Sequence, residues 1–130
     1  MDEIVYVIPG EPIPLARPRH SHNNVYDSQK NQKLVLSINL RNQHKNKPLY
    51  LGPLLLNITF YMPVAKSREE FKASLMGTPH FYKPDLSNLI KMTEDIANGI
   101  IFKDDCQIVE IIAKKIYGEP RTEFTITEMR

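Results

Sequence analysis

Leu54-Leu55-Leu56-Asn57-Ile58-Thr59-Phe60-Tyr61-Met62 is the stretch on which the fold turns. Leu54, Leu56, Ile58, Phe60 and Met62 occupy every second position and alternate with Leu55, Asn57, Thr59 and Tyr61. A period of two places the first set on one face of a β-strand, because successive side chains point to opposite sides of the pleat. The run predicts a central or near-central strand.

Downstream, Ala65 to Met76 carries Lys66, Arg68, Glu69, Glu70 and Lys72 and is ended by Gly77-Thr78-Pro79. It reads as a short charged helix or as a mobile excursion. Asp85 to Asn98 is a stronger helix: Leu86, Leu89, Ile90, Ile96 and Ala97 fall within about a third of the circumference at roughly 100° per residue. Asp85 is placed as its N-cap and Gly99 as its stop. Ile100-Ile101-Phe102 extends briefly, and a β-branched run from Gln107 to Tyr117 predicts a strand. A hairpin-like connection at Glu119-Pro120-Arg121 leads to a last strand around Phe124 to Thr127.

Upstream, Ser28 to about Lys45 contains neither proline nor glycine, and Leu34, Val35, Ile38 and Leu40 recur at helical spacing, with Asp27 or Ser28 as cap. Pro9, Pro12, Pro14 and Pro18 exclude regular structure before it, which predicts a stiff, extended loop carrying Arg17, Arg19, His20 and His22. Glu3 to Ile8 reads as a first strand. The order of elements gives one α/β or α+β domain over residues 1–130, a small mixed sheet packed with helices.

At 130 residues, with 42% hydrophobic and 25% charged residues, the chain suits one compact core. No apolar run approaches the roughly 18 residues of a membrane span, and Met1-Asp2-Glu3 lacks a basic leader, so a cytoplasmic location is expected. Cys106 is the single cysteine, without zinc spacing to any histidine, and it reads as a small, reduced, partly buried residue. His44 and His80 stand alone and stay outside the candidate site. Net charge is +2, yet Glu11 to Lys47 holds seven basic residues against two acidic ones. Such a bias fits a polyanion-binding surface or a solvated basic face.

The chemistry-bearing stretch is Lys83-Pro84-Asp85-Leu86-Ser87-Asn88-Leu89-Ile90-Lys91, then Asp95, then Asp104-Asp105-Cys106-Gln107. Bringing adjacent carboxylates into one site costs roughly 4 kcal/mol per pair at 4 Å and an effective dielectric of 20, a cost that a divalent cation removes. Mg²⁺ is usually held by one or two carboxylates plus water and phosphate, which Asp85 with Asp104 or Asp105 would supply. Asn88, Lys91 and Asp95 lie opposite the apolar stripe and so can face a cleft. A plain structural reading stands beside this one: Asp85 as cap, Lys91 and Asp95 as an exposed pair, and Asp104-Asp105 as a turn.

These residues, in this order, resemble the signature of the RusA-type Holliday junction resolvases, approximately Asp-Leu-Asp-Asn-Leu-x-Lys, a further Asp on the same helix, and Asp-Asp-x-Gln-Val/Ile. The likeness continues through Gly10-x-Pro12, Arg17-Pro18-Arg19 and Tyr26-Asp27, and through Thr125-Ile126-Thr127-Glu128, so it covers nearly the whole chain. It implies a homodimeric, Mg²⁺- or Mn²⁺-dependent endonuclease, of phage or prophage type, that makes paired cuts in four-way DNA junctions. Carried over by position, Asp85 and Asp105 are metal-binding acids, Asp104 a supporting acid and metal ligand, and Lys91 the catalytic lysine. Asn88, Lys91, Arg17, Arg19 and His20 are expected to contact DNA. Ser87 departs from the pattern, since the family normally has a second aspartate there. An engineered inactivating change, a natural loss of cleavage, and compensation by Asp95 or Asp104 are three explanations of it. The alternatives to a resolvase are a junction-binding protein that does not cut, and a protein acting on other branched or single-stranded DNA.

Overall fold

The computed structural model describes residues 3–16, 19–21 and 24–129, with 19–21 and 24–26 as backbone. The elements in chain order are β1 (Tyr6–Pro9), β2 (Arg19–Ser21), β3 (Asn24–Tyr26), α1 (Lys30–His44), β4 (Leu54–Met62), a 3-10 helix (Lys66–Phe71), α2 (Lys72–Leu75), α3 (Leu86–Ala97), a second 3-10 turn (Asp105–Gln107), β5 (Ile108–Tyr117) and β6 (Arg121–Glu128). The main sheet has the order β1-β6-β4-β5, with β5 parallel to β4 and the other pairs antiparallel. It is the mixed sheet of an α+β fold.

β4 is central, as its alternation predicts. Leu54, Leu56, Ile58, Phe60 and Met62 are each no more than 2% exposed, which at about 1.5–3 kcal/mol per buried side chain makes this face the chief source of cohesion. The α3 stripe supplies the other wall through Leu89, Ile96 and Ala97, joined by Met92 and Thr93. Leu86 and Ile90 pack at its border.

Four expectations are corrected. The first concerns α1, where Leu34, Val35 and Ile38 are exposed, and Leu40 with His44 is buried instead. Periodicity gave the helix, but contacts chose its inner side: Gln43 bonds both backbone groups of Val7, and Ser37 Oγ donates to the Ile96 carbonyl. Its N-cap is Gln29, and Asp27 Oδ1 accepts from the Gln29 N–H rather than capping the helix itself. Second, β5 and β6 are not a hairpin. They flank β4 on opposite sides, so the Glu119-Pro120-Arg121 connection crosses the end of β4. Gly118 lies against Tyr61 so closely that a Cβ there would meet the ring at 2.7 Å. Third, the proline-rich loop contains the β2–β3 ladder. Fourth, Cys106 is exposed.

The 65–84 excursion is ordered by β5. His80 N–H donates to the Lys115 carbonyl at 3.0 Å, and Tyr117 N–H donates to the Thr78 carbonyl at 3.0 Å. Among the described residues this segment covers only the last turns of the β5 edge, and the edge from Ile108 to Lys114 has no strand beside it. Val109, Ile111 and Ile112 are exposed along it.

Candidate active site

Asp85 stands immediately before α3 with extended backbone (φ −65°, ψ 138°), and its carbonyl accepts from the N–H groups of Asn88 and Leu89. Its position is that of an N-cap, but its carboxylate caps nothing. Among the described residues the carboxylate meets only Lys83 Nζ, at 3.0 Å, and it is half exposed. An N-cap side chain normally accepts from the first turn of the helix. Here it is left free to take another partner.

Lys115 holds this acid in place from behind. Its core-side phase on β5, opposite Phe60, puts a lysine where an apolar residue is expected. Its ammonium donates to the carbonyls of Tyr82 and Pro84 at 2.5 and 2.6 Å. Burial lowers its pKa, while the charge of Asp85 works the other way. A cation on the inward phase of an otherwise β-branched strand was the sequence signal for this role.

At the other end of α3, Asp104 and Asp105 occupy a tight turn. Asp104 Oδ1 accepts from the Cys106 N–H at 3.1 Å, and Gln107 Oε1 accepts from the N–H groups of Lys103 and Asp104 at 3.0 and 3.1 Å. The Gln107 amide also donates to the carbonyls of Tyr50 and Gly52, which ties the turn to the start of β4. The glutamine of the Asp-Asp-x-Gln pattern is thus the residue that shapes the acid pair. The closeness of the two carboxyls pushes Asp105 up and, together with the Cys106 N–H, holds Asp104 down. Glu94, on the facing side of α3, is also raised, first by burial and then by the charges of Asp105 and Asp95. A concentration of negative charge of this kind is what a bound cation relieves.

The helix keeps these two acid groups apart. Its 12 residues span about 18 Å at 1.5 Å per residue. Among the described residues, no three His, Cys, Asp or Glu side chains of one chain come together to hold a metal ion. Among the described residues, Asp85 and the Asp104–Asp105 pair thus form no ready-made cluster of three carboxylates. Lys91 is exposed between them. Asn88 is half-buried, and its carbonyl accepts from the Leu15 N–H, which brings the N-terminal loop onto α3. Ser87 is exposed on the first turn. Asp95 is taken by Lys33 of α1 at 3.0 Å, with Asp27 on the same ammonium at 2.6 Å. Arg17 lies outside the described residues, as do the side chains of Arg19 and His20, whose backbone forms β2.

The donor chemistry fits a hard divalent cation, since Asp85, Asp104 and Asp105 offer carboxylate oxygens. A cleft of about 450 Å³ at the start of β4, beside Tyr50 and Glu128, contains none of the predicted site residues.

The family model for the endodeoxyribonuclease RusA matches residues 9–127, which includes every one of these acids. The chain belongs to the RusA endodeoxyribonuclease family. Membership implies a nuclease of the Holliday-junction-resolving kind. The chain is also 32% identical to the uncharacterized protein YqaN of Bacillus subtilis (strain 168), with 99% of each chain covered. His44 has a structural role within this RusA-family fold: buried, it bonds the Tyr6 hydroxyl at 2.7 Å and the Pro48 carbonyl at 3.1 Å. Among the described residues no helix is long and apolar enough to cross a membrane.

Proposed function

We propose that the protein is a divalent-metal-dependent endonuclease that cuts four-way DNA junctions in symmetric pairs, acting as a homodimer with Mg²⁺ or Mn²⁺. The observation that carries this reading is the presence, inside the family match, of an uncapped Asp85 carboxylate and a preorganised Asp104–Asp105 pair. Asp85, Asp104 and Asp105 would hold the metal, and the metal would supply an activated water and charge neutralisation at the scissile phosphate. Lys91, exposed on the same helix, would meet the charge that develops on the phosphate. Leu15 docks on Asn88 of α3, and Arg17, Arg19 and His20, which follow it in sequence, would contact the DNA backbone.

The separation of the acids supports two chains rather than one. β5 runs from the Asp105 turn toward Lys115 and Asp85, and its open edge is apolar. An exposed apolar edge of this length invites pairing with another strand. Antiparallel pairing with a second β5, centred on Ile111, opposes position 108 with 114. It then carries Asp105 of the partner subunit past Lys115 to the Asp85 end. Two-fold symmetry repeats the site, which matches the symmetry of paired cuts.

Ser87 favours a second reading, junction binding without cleavage. Asp95, ten residues further along the helix, lies about 15 Å from Asp85 and is held by Lys33, so it does not replace the missing carboxylate. The test is cleavage and gel shift of a labelled four-way junction with Mg²⁺ or Mn²⁺, for the chain, Asp85→Asn and Ser87→Asp. Paired cuts by the chain, lost in Asp85→Asn, are the expected outcome. Cuts only in Ser87→Asp would establish the second reading, and no junction-selective binding would overturn both.

A further inference from the structure

Beside Asp85 lies a cleft of about 440 Å³ whose walls include Arg68, His80, Tyr82, Lys83 and Tyr117. Its volume is that of a small-ligand site. One aromatic ring of its lining, Tyr82, is 52% exposed, and Phe81, outside the lining and 78% exposed, stacks on that ring at 4.7 Å with 24° between planes. Water-exposed stacked rings are unusual without a partner, since each leaves a large apolar face wet.

They are also fixed. Lys115 clamps the Tyr82 and Pro84 carbonyls, and Arg68 sits 5.7 Å from the Tyr82 ring centre while donating to the Tyr117 hydroxyl at 3.3 Å. His80 packs edge-on against Tyr117 at 4.8 Å, and its buried Nδ1 has no hydrogen-bond partner among the described residues. The flanking charges are cationic, from Arg68 and the 88%-exposed side chain of Lys83, with Glu11 as the acid on the lining.

An aromatic platform with cations on its rim binds flat, anionic-backbone ligands: the rings take a π-face and the cations take phosphate. We propose that this cleft receives an unstacked DNA base, splayed out of the strand whose phosphate is presented to Asp85, with Tyr82 as the ring it meets and Phe81 as the ring stacked against Tyr82. Holding one base out of the stack would fix the register of the strand at the acid three residues away in sequence. The inference rests on the junction-nuclease reading above.

The experiment uses the full chain and four-way junctions carrying 5-iododeoxyuridine at single positions around the crossover, in Ca²⁺ to hold cleavage back. Irradiation followed by peptide mapping is run beside gel shift and sedimentation. The expected result is an adduct on Phe81 or Tyr82 from one or two positions, with junction affinity falling about tenfold in Phe81→Ala and Tyr82→Ala and retained in Tyr82→Phe. Gel shift without an adduct on either ring, or affinity within twofold in both alanine variants, overturns this inference alone. A change to monomer in either variant would assign the rings to subunit contact and overturn it as well. Absence of any gel shift overturns the nuclease reading on which it rests.

Discussion

The two ends of α3 carry acids in opposite ways. At the N-terminal end the Asp85 side chain makes no hydrogen bond to the helix that it begins and meets only an exposed lysine. At the C-terminal end, Asp104 is built into a capping box with Gln107, and the Asp105 carboxyl is pushed up by the Asp104 carboxyl beside it. One acid is held by backbone position alone, the other two by side-chain bonds. The difference suggests a division of labour in which the turn presents a preorganised pair and the helix start offers an open carboxylate. Glu94, whose carboxyl feels the charge of Asp105, stands nine residues from Asp85, about 14 Å along the helix, a gap that a second chain would close in the dimer proposed above.

The largest expected effect is seen when variants of the two ends are mixed. Asp85→Asn and Asp105→Asn are each expected to abolish cleavage, in a Ser87→Asp background if the chain itself does not cut. In co-refolded mixtures, a shared site leaves one complete set of acids in each mixed dimer and none in its twin. Nicking should return to roughly a quarter of the unmutated level, as single nicks rather than paired cuts, because half the dimers are mixed and each keeps one of two sites. Nicking that stays at background in the mixture would place all the acids of a site in one chain.

The second prediction concerns stability. Gln107→Ala removes two acceptor and two donor contacts at the turn and should cost about 1–3 kcal/mol in denaturant unfolding. Asp85→Asn should change it by less than about 0.5 kcal/mol, since that side chain caps nothing. Equal costs at the two ends would remove the asymmetry.

Much of this architecture was legible in sequence, for identifiable reasons. The β4 alternation and the α3 stripe are long patterns in which both period and inner face agree, and Gly99 ends α3 with φ +77° as a helix stop requires. The inner face of α1 was not legible. Leu34, Val35 and Ile38 make a plausible stripe, while its orientation is set by Gln43 on β1 and Ser37 on α3, contacts between residues far apart in sequence. Turn residues at 119–121 announce a reversal, but not that β4 lies between the two strands. The acids were legible as residues and not as an arrangement, because a spacing of twenty residues does not reveal that a straight helix separates them. Lys115 left a signal in its inward phase on β5, but its partners, the carbonyls beside the Phe81–Tyr82 platform, became visible only when β5 and the 65–84 excursion were seen together.

The smallest expected effect lies between the two ends, where Lys33 of α1 bridges Asp27 and Asp95. The hydrogen bond from Lys33 holds the Asp27 carboxyl below its ordinary range. Burial by itself would lower the Lys33 ammonium, but its bonds to the two aspartates outweigh this and raise it. A depressed carboxylate contributes stability that is present above its unfolded pKa and is lost as pH falls through the folded value. A raised ammonium contributes below its unfolded pKa and is lost as pH rises through its folded value. Lys33→Met should therefore lower Tm by no more than about 3 °C, as expected of a partly exposed ion-pair network. The difference from the unmutated chain should be constant from about pH 5 to 9 and should shrink below about pH 4. Junction cleavage should be unaffected, because Asp95 in this reading fastens α3 to α1 and takes no metal. A loss of cleavage comparable to Asp85→Asn, with Tm unchanged, would instead make Asp95 a working acid of the site and would restore the compensation for Ser87 that its bond to Lys33 argues against.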